Sequence, residues 1–269
     1  MSFSPRSDLA QEAHALYGAA ALPGVKVSED KGIFRLGVEN AEGAAALGLA
    51  QGNYIDLSLL PLLRREDEAF PRLCGQIADE LRRMLPAEGC ILVAALGNPA
   101  MTPDALGSLC ADSLLVTRHL GEILPDFRPL CALRCGVLGT TGLESGSLVK
   151  AAVELSGCRA VIAVDALCAA GEEKLCAAVQ LSDAGIVPGS GVGNSRMALN
   201  RETLGVPVLS LGVPTVMDAG TIGGKPGMFV TTRDIDMRVK LAARVLGYSI
   251  NMAVQDSLSV EDIDLLVNG

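Results

Sequence analysis

The sequence predicts an α/β fold of three layers, in which a mostly parallel central sheet lies between helices and a small β element precedes it. Two observations carry this prediction. Continuous apolar runs recur after residue 90, and helical patterns separate several of them. Runs that are apolar on both faces are typical of buried parallel strands, and strands that alternate with helices form βαβ units. We expect residues 1–269 to form one domain, with an N-terminal segment over 1–64 and an α/β/α core over 65–269.

The N-terminal β element is predicted from two stretches of partial apolar alternation, "GIFRLGVE" (32–39) and "NYIDLSLL" (53–60). Such alternation is typical of half-buried strands, and we expect the two to pair as a hairpin. The next stretch, "REDEAFPRLCGQIADELRRMLP" (65–86), places apolar residues at steps of three or four. That spacing predicts one amphipathic helix, and acids at its start and arginines at its end suit the helix dipole.

The core is predicted to consist of five strands and the helices between and after them. Strands are predicted at 90–96, 130–138, 159–167, 177–183 and 206–214. Helices are predicted at 105–121, 143–156 and 234–254. Hydrophobic residues make up 49% of the chain and aromatic residues only 3%, so we expect an aliphatic core.

Composition and charge exclude several classes of function. The formal net charge is −9 and no basic stripe occurs, which argues against a nucleic-acid partner. No apolar run reaches the roughly 18–20 residues of a membrane helix, and the N-terminus lacks a signal-peptide pattern. We therefore expect a cytoplasmic protein. The eight cysteines lie mostly in apolar runs and are expected to be reduced core residues. The pair Cys131 and Cys135 has no second Cys/His pair, so no zinc site is predicted there.

Acidic residues follow four of the predicted strands, at the edge where open α/β sheets bind ligands. They are Asp104, Asp165, Asp183 and Asp218. Asp104 also has a structural interpretation, because in "TPDALG" it suits the first turn of a helix capped by Thr102. Asp165 interrupts an apolar run, where a carboxylate is costly unless something binds it. Asp183 precedes a glycine and is also compatible with an ordinary turn.

The loop "VPGSGVGNSR" (187–196) is rich in glycine. Gly189, Gly191 and Gly193 permit positive φ angles and close approach of another backbone. Their spacing is G-x-G-x-G, which does not match the nucleotide-binding fingerprint. A backbone amide nest for a carbonyl oxygen, or a tight turn, is favoured instead.

Histidine chemistry is not predicted. The chain has two histidines, His14 and His119. In a helix over 105–121, His119 lies roughly 22 Å along the axis from Asp104, away from the strand ends. A nucleophile activated by histidine needs that base within hydrogen-bond reach. Two neighbouring carboxyls offer another route, because the ionised one deprotonates a water while the protonated one polarises a carbonyl. The residues alone permit this mechanism without selecting it.

Several long motifs, in order along the chain, resemble the germination protease family of spore-forming bacteria, endopeptidases that degrade small acid-soluble spore proteins. The matching stretches are "LGNPAMTPDALGSLCADSLLVTRHL" (96–120), "GVLGTTGLES" (136–145), "VIAVDALCA" (161–169), "QLSDAGIVPGSGVGNSR" (180–196) and "TLGVPVLSLGVPTVMDAGTI" (203–222). In addition, "RSDLAQEA" (6–13) is similar to the start of the family's mature region, and "GMFVTTRDIDMRVKLAARVLGYSIN" (227–251) to its closing helical segment.

The resemblance implies an atypical aspartic-type protease that does not have the pepsin fold. Its two essential aspartates correspond to Asp104 and Asp165. The implied fold is similar to that of the hydrogenase-maturation proteases. The resemblance also implies a homotetramer that is made as a zymogen and trims its own N-terminus. We predict no cofactor, and we expect the protein in the cytoplasm of the spore core.

The chain departs from the family pattern in three places. Five residues precede "RSDLA", fewer than the usual pro-segment, which counts against zymogen control here. The family's longer insertion after Ile222 is replaced by "GGKPG". Gly146 stands where the family has an acid after "GLES", so no role is expected at that position.

Three hypotheses follow. The first is an endopeptidase that uses Asp104 and Asp165 on a bound water. Its predicted substrate-binding residues are Gly189, Ser190, Gly191, Gly193 and Asn194, with Asp183 as a further candidate. The second has the same two carboxylates hold Mg²⁺, Ca²⁺ or Mn²⁺, which prefer oxygen ligands. The third is a shortened relative that binds spore proteins without cleaving them.

Overall fold

The computed structural model describes residues 7–18, 22–193 and 196–269. Within these residues the strands are β1 (Val25–Asp30), β2 (Ile33–Val38), β3 (Gly52–Ser58), β4 (Ile91–Leu96), β5 (Leu130–Gly136), β6 (Ala160–Ala169), β7 (Ala178–Ser182), β8 (Val208–Asp218) and β9 (Phe229–Val230). The α-helices are α1 (Ala10–Tyr17), α2 (Ala41–Leu47), α3 (Leu60–Leu63), α4 (Ala69–Met84), α5 (Leu106–Ala111), α6 (Leu138–Thr141), α7 (Ser145–Ser156), α8 (Arg201–Leu204), α9 (Ile235–Val254) and α10 (Val260–Asn268). None of these helices is long and apolar enough to cross a bilayer.

The strands form one mixed sheet in the order β1-β2-β3-β7-β8-β6-β4-β5, and β9 pairs with β8. The neighbours β8, β6, β4 and β5 are parallel. The other pairings are antiparallel. Helices cover both faces, which confirms the three-layer α/β prediction. The sheet is more antiparallel than predicted, because β7 runs against β8 and carries the N-terminal strands into the same sheet.

The predicted pairing of the two N-terminal stretches is confirmed, since β2 and β3 are antiparallel neighbours. The helix α2 lies between them, so the tight hairpin is instead formed by β1 and β2. The turn of this hairpin places Lys31 and Gly32 at φ angles of 51° and 74°, which suit the right-handed twist of paired strands. Because β3 also pairs with β7, the N-terminal strands extend the main sheet.

The two faces of the sheet pack against different helices. In β4, Ile91, Val93 and Ala95 point into the core shared with α4, α5 and α9. The alternate residues Leu92, Ala94 and Leu96 point into the core shared with α7 and α8. A strand that is buried on both faces reads as a continuous apolar run, which is why the sequence pattern located it.

The predicted helix over 105–121 is wrong, because α5 ends at Ala111 and a separate 3₁₀ turn occupies Arg118–Leu120. Between these two elements, backbone N–H groups donate hydrogen bonds to residues that are distant in the sequence. The backbone N–H of Leu115 donates to the Asn251 side chain, and that of Thr117 donates to the carbonyl of Leu130. The estimate of 22 Å between His119 and Asp104 therefore has no structural basis, although His119 still lies outside the cavity described below.

Candidate active site

The sheet order creates a crevice between β4 and β6. From β4 the chain moves to β5 on one side, and then returns to β6 on the other side. Connections that leave in opposite directions open a crevice outside the carboxyl ends of the two strands, and this is where open α/β sheets bind ligands. A cavity of about 430 Å³ lies at this position. It is lined by the ends of β4 and β6, the start of α7 and the loop 186–192.

Three carboxyl groups line the cavity, those of Asp8, Asp104 and Asp165. They come from the N-terminal segment, the loop after β4 and the strand β6. The rest of the lining is mostly apolar, with Arg196 as a basic side chain. The sequence predicted that Asp104 and Asp165 would meet at this edge, and the structure brings both into one cavity. The sequence did not predict that Asp8 would line this cavity.

The loop after β4 holds Asp104 at the cavity. Gly97 has a φ angle of 92°, and a Cβ at this position would lie 2.0 Å from the carbonyl oxygen of Asp104. A glycine is therefore required for the loop to fold back this closely. The Asp104 carboxylate accepts a hydrogen bond of 2.8 Å from the backbone N–H of Asn98. It closes this loop and does not cap α5, whose N-cap position is Ala105.

Asp165 is buried within β6 and is 6% exposed. Its carboxylate accepts a hydrogen bond of 2.9 Å from the backbone N–H of Ala166. Burial raises the pKa of Asp165 well above its ordinary value of 3.8, and the negative charges of Asp104 and Asp8 raise it further. Burial also raises the pKa of Asp104, while the Asn98 hydrogen bond opposes that shift. Burial therefore disfavours the charged form of both carboxyls, and it raises the pKa of Asp165 more strongly than that of Asp104.

Asp8 is bound by both β6 and the glycine-rich loop. Its carboxylate accepts a hydrogen bond of 2.8 Å from the backbone N–H of Cys168 and one of 3.0 Å from the hydroxyl of Ser190. Burial raises its pKa, and these two hydrogen bonds lower it. The motif "RSDLA" drew attention to this stretch, but no local pattern places a residue against a partner 160 positions away.

The glycine-rich loop reaches the cavity through Gly189, Ser190 and Gly191. Gly191 has no room for a side chain, because a Cβ there would lie 2.1 Å from the Asp8 carboxylate. Gly193 lies next to the lining residues, at a φ angle of 73°, and its N–H donates to the Ser190 carbonyl. Asn194, the remaining predicted binding residue, lies outside the described residues.

The other two acids at strand ends lie elsewhere. Asp183 is exposed and accepts hydrogen bonds of 2.6 and 2.7 Å from the backbone and side-chain nitrogens of Asn53, outside the cavity lining. Asp218 accepts hydrogen bonds from the backbone N–H groups of Gly220 and Gly227. It therefore closes the loop that contains "GGKPG" (223–227).

The described lining contains no histidine, so no imidazole base stands beside a nucleophile there. Cys168 lines the cavity, but burial raises the pKa of its thiol to about 12, and the nearby acids raise it further. A thiol in that state is a poor nucleophile. The hydroxyl of Thr215 is buried in the lining and has no hydrogen-bond partner among the described residues.

Within the described part of the chain, no group of three or more His, Cys, Asp or Glu side chains is arranged to hold a metal ion. Cys131 does not pair with Cys135. Its sulfur lies 3.8 Å from the sulfur of Cys90.

Comparisons with known proteins agree with the family resemblance that the sequence motifs indicated. A family model described as germination protease matches residues 19–230. A germination protease from Clostridium perfringens is 32% identical over 324 aligned residues, which cover 99% of this chain and 100% of that protein. One from Caldanaerobacter subterraneus is 34% identical over 98% of both chains. One from a Geobacillus species is 40% identical over 82% of this chain and 65% of its own length. The first alignment is longer than the 269 residues of this chain, so that relative carries segments with no counterpart here.

Proposed function

The chain belongs to the germination protease family, and we propose that it is an endopeptidase that degrades small acid-soluble spore proteins during germination by activating a water between Asp104 and Asp165. The observation that carries the proposal is that both carboxyls line one cavity at the switch point of the sheet. Family membership supports the protease role, and the resemblance of the motifs supports the substrate class.

The two carboxyls have different environments, and these assign their roles. Asp104 is less buried than Asp165, so it is the ionised base. Asp165 is almost fully buried beside that charge, so it is the protonated acid. Asp104 removes a proton from the water as the water oxygen attacks the carbonyl carbon of the scissile bond. Asp165 donates a hydrogen bond to the carbonyl oxygen. The proton held by Asp104 then passes to the departing amine as the C–N bond breaks.

The substrate chain would lie along the apolar lining of the cavity. Met101, Val187 and Val192 line it and remain partly exposed, as side chains at the mouth of a peptide-binding cleft do. Gly189, Ser190 and Gly191 bring the backbone of their loop to the same place, which supports a role in positioning the substrate. Asp183 lacks this support, because Asn53 occupies both of its oxygens.

Replacement of either carboxyl tests the proposal. Asp104→Asn and Asp165→Asn should fold normally and lose cleavage of a purified small acid-soluble spore protein, with kcat/KM at least about 100-fold lower. The matched control is Asp126→Asn, which removes an exposed carboxylate outside the cavity. Circular dichroism and thermal unfolding establish that each variant is folded. An Asp165→Asn protein with full activity would refute the mechanism.

The two alternative hypotheses predict different results in the same assay. A metal-dependent protease would lose activity with a chelator and regain it with one particular divalent ion. A non-catalytic relative would bind the spore protein without producing fragments. The mechanism proposed here requires fragments whose formation is indifferent to the chelator.

The resemblance also supports a homotetramer that works in the spore core and trims its own N-terminus. Apolar side chains on α10 are available for subunit contacts, since Leu265 and Leu266 are 73% and 57% exposed. Light scattering coupled to size-exclusion chromatography measures the assembly. A monomer at all concentrations would contradict the tetramer without affecting the proposed chemistry.

A further inference from the structure

Three cysteines meet at the edge of the sheet opposite the cavity. Cys90 immediately precedes β4, Cys131 is the second residue of β5, and Cys158 lies two residues before β6. These three parallel strands are neighbours, so their starts lie side by side. The sulfurs of Cys90 and Cys131 are 3.8 Å apart. The six residues of β4 separate this cluster from the carboxyl pair, a distance of about 20 Å.

Cys90 and Cys131 differ from the other cysteines in exposure. Both are half-buried, whereas the remaining six, Cys74, Cys110, Cys135, Cys158, Cys168 and Cys176, are buried. A dissolved reagent therefore reaches this pair more readily than the others. A disulfide bond requires a sulfur separation of about 2.05 Å, so its formation must bring the two sulfurs together from 3.8 Å by rotation of the side chains and adjustment of the chain at Cys90, which precedes β4.

The surroundings of the pair favour a reactive thiolate on one member. The two sulfurs are within hydrogen-bond distance of each other, and this interaction with Cys90 lowers the pKa of Cys131 to about 7. The positive charge of Arg118 lowers it further. The pKa of Cys90 is raised correspondingly, because its proton is held between the two sulfurs. Cys131 is therefore the thiolate that attacks first, and Cys90 is the thiol that attacks in the second step.

We propose that Cys90 and Cys131 form a reversible disulfide site that reacts with small disulfides of the glutathione class. The Cys131 thiolate attacks one sulfur of the small disulfide and expels a small thiolate, which leaves a mixed disulfide on Cys131. Cys90 then loses its proton to solvent and attacks the Cys131 sulfur, which expels the second small thiolate. Two protein thiols are oxidised and one small disulfide is reduced to two thiols.

The bond would link the starts of β4 and β5, 41 residues apart, at the edge of the sheet. A cross-link of this span restricts the unfolded chain, so the oxidised protein should unfold at a higher temperature. The cavity lies at the other ends of the strands, so oxidation should leave kcat/KM for a peptide substrate unchanged. The site therefore controls persistence of the folded protein and not its chemistry.

Oxidised glutathione is the probe for the test. Wild-type protein should lose two hydrogens by intact mass, and peptide mapping should find Cys90 joined to Cys131. Cys90→Ala should instead retain one glutathione on Cys131, because the second thiol is missing. Cys131→Ala should form neither product. The matched control is Cys135→Ala, which removes a buried thiol on the same face of β5 and should still form the Cys90–Cys131 bond.

Two outcomes would overturn the proposal. One is a folded wild-type protein that keeps all its thiols reduced after exposure to oxidised glutathione. The other is a disulfide that joins Cys158 to Cys131, which Cys158→Ala would abolish. Circular dichroism of each variant distinguishes loss of the reactive pair from loss of the fold, and dithiothreitol should reverse both the mass change and the rise in unfolding temperature.

Discussion

At the scale of single residues, the candidate site depends on unequal burial of two identical groups. Asp104 lies in a loop that supplies a backbone hydrogen bond, and Asp165 lies within a strand that is buried on both faces. Desolvation disfavours the charged form of a carboxyl, so the more buried one keeps its proton. One chemical group can therefore act as base and acid at the same pH.

This difference predicts a bell-shaped dependence of kcat/KM on pH. As the pH falls, Asp104 gains a proton and the base is lost, and burial places this limb above the ordinary carboxyl pKa of 3.8. As the pH rises, Asp165 loses its proton, and its raised pKa sets the alkaline limb. Cleavage of a peptide substrate measured from pH 3 to 9 would show both limbs. A rate that only rises with pH would contradict a requirement for a protonated carboxyl.

Asp56 offers a separate prediction about stability. It lies on β3 beneath α1, and burial raises its pKa to about 7, while Lys174 lowers it and Glu12 raises it. One of its oxygens has no hydrogen-bond partner among the described residues. The folded state holds this proton more tightly than the unfolded chain does, so stability falls as the pH rises from about 4 to about 7.

Asp56→Asn should therefore be more stable than the wild type at pH 8, by up to about 4 kcal/mol, and similar to it at pH 4. Urea unfolding at the two pH values measures the difference. Asp126→Asn, an exposed replacement, should show no such dependence. Equal stability of Asp56→Asn and wild type at both pH values would mean that Asp56 is not desolvated in the folded protein.

Sequence reasoning found Asp104 and Asp165 because each carries a local signal, a loop after a strand and an acid inside an apolar run. Parallel topology then placed them together. Asp8 carries no such signal, since its position depends on contacts with Cys168 and Ser190 far along the chain. Asp183 also follows a predicted strand, as Asp104 does, but its carboxylate accepts a hydrogen bond from Asn53 and lies outside the cavity. Local patterns identify candidates, and only the tertiary fold selects among them.

At the scale of secondary structure, α5 lies against β4 and β6 more closely than most side chains would allow. A Cβ on Gly107 would lie 2.4 Å from the carbonyl oxygen of Leu96 and 2.7 Å from that of Val164. These are backbone atoms of the two strands that end at the cavity. Asp104 lies two residues before α5, so the position of this helix sets the position of the carboxylate.

Gly107→Ala should therefore both destabilise the protein, by about 1–3 kcal/mol, and lower kcat/KM. The matched control is Gly75→Ala in α4, where a Cβ would meet nothing within 4 Å. That change should raise stability by about 0.5–1 kcal/mol and leave activity unaltered. Chemical unfolding and peptide cleavage measure the two effects. A Gly107→Ala protein with full activity and stability would show that α5 can shift without moving Asp104.

Among the features of the fold, the lengths of the helices were the hardest to predict from the sequence. The strands β2 to β8 and the helices α4, α7 and α9 were predicted to within a few residues, because each has an apolar pattern, whereas β1 and β9 were not predicted. The stretch after α5 is just as apolar, yet Asn251 and Leu130 bind its backbone and end the helix. Hydrogen bonds to distant residues outweigh local propensity in such stretches.

At the scale of the whole molecule, hydrogen bonds tie the N-terminal segment to β7 and to the residues that follow β6. The N–H of Ala10 donates to the Gln180 side chain, and that side chain donates to the carbonyl of Asp8. Glu12 accepts hydrogen bonds from the backbone N–H groups of Ala170 and Gly171. The backbone around Asp8 is thereby held across β6 and β7, at the cavity that Asp104 and Asp165 line.

The family resemblance implies self-trimming, whereas the few residues before "RSDLA" count against zymogen control. If the chain does trim itself, this placement of Asp8 predicts where the cut occurs. Intact mass should show that purified wild-type protein loses residues up to the neighbourhood of Asp8, whereas Asp104→Asn retains them. Gln180→Ala removes the side chain that holds this segment, so trimming should slow while cleavage of an added spore protein continues. Asp126→Asn is the control that should trim normally. A wild-type protein that cleaves the spore protein yet keeps its N-terminus would refute self-trimming and leave the proposed protease intact. If Asp104→Asn loses both self-trimming and cleavage of the spore protein while Asp126→Asn keeps both, the two activities share one site.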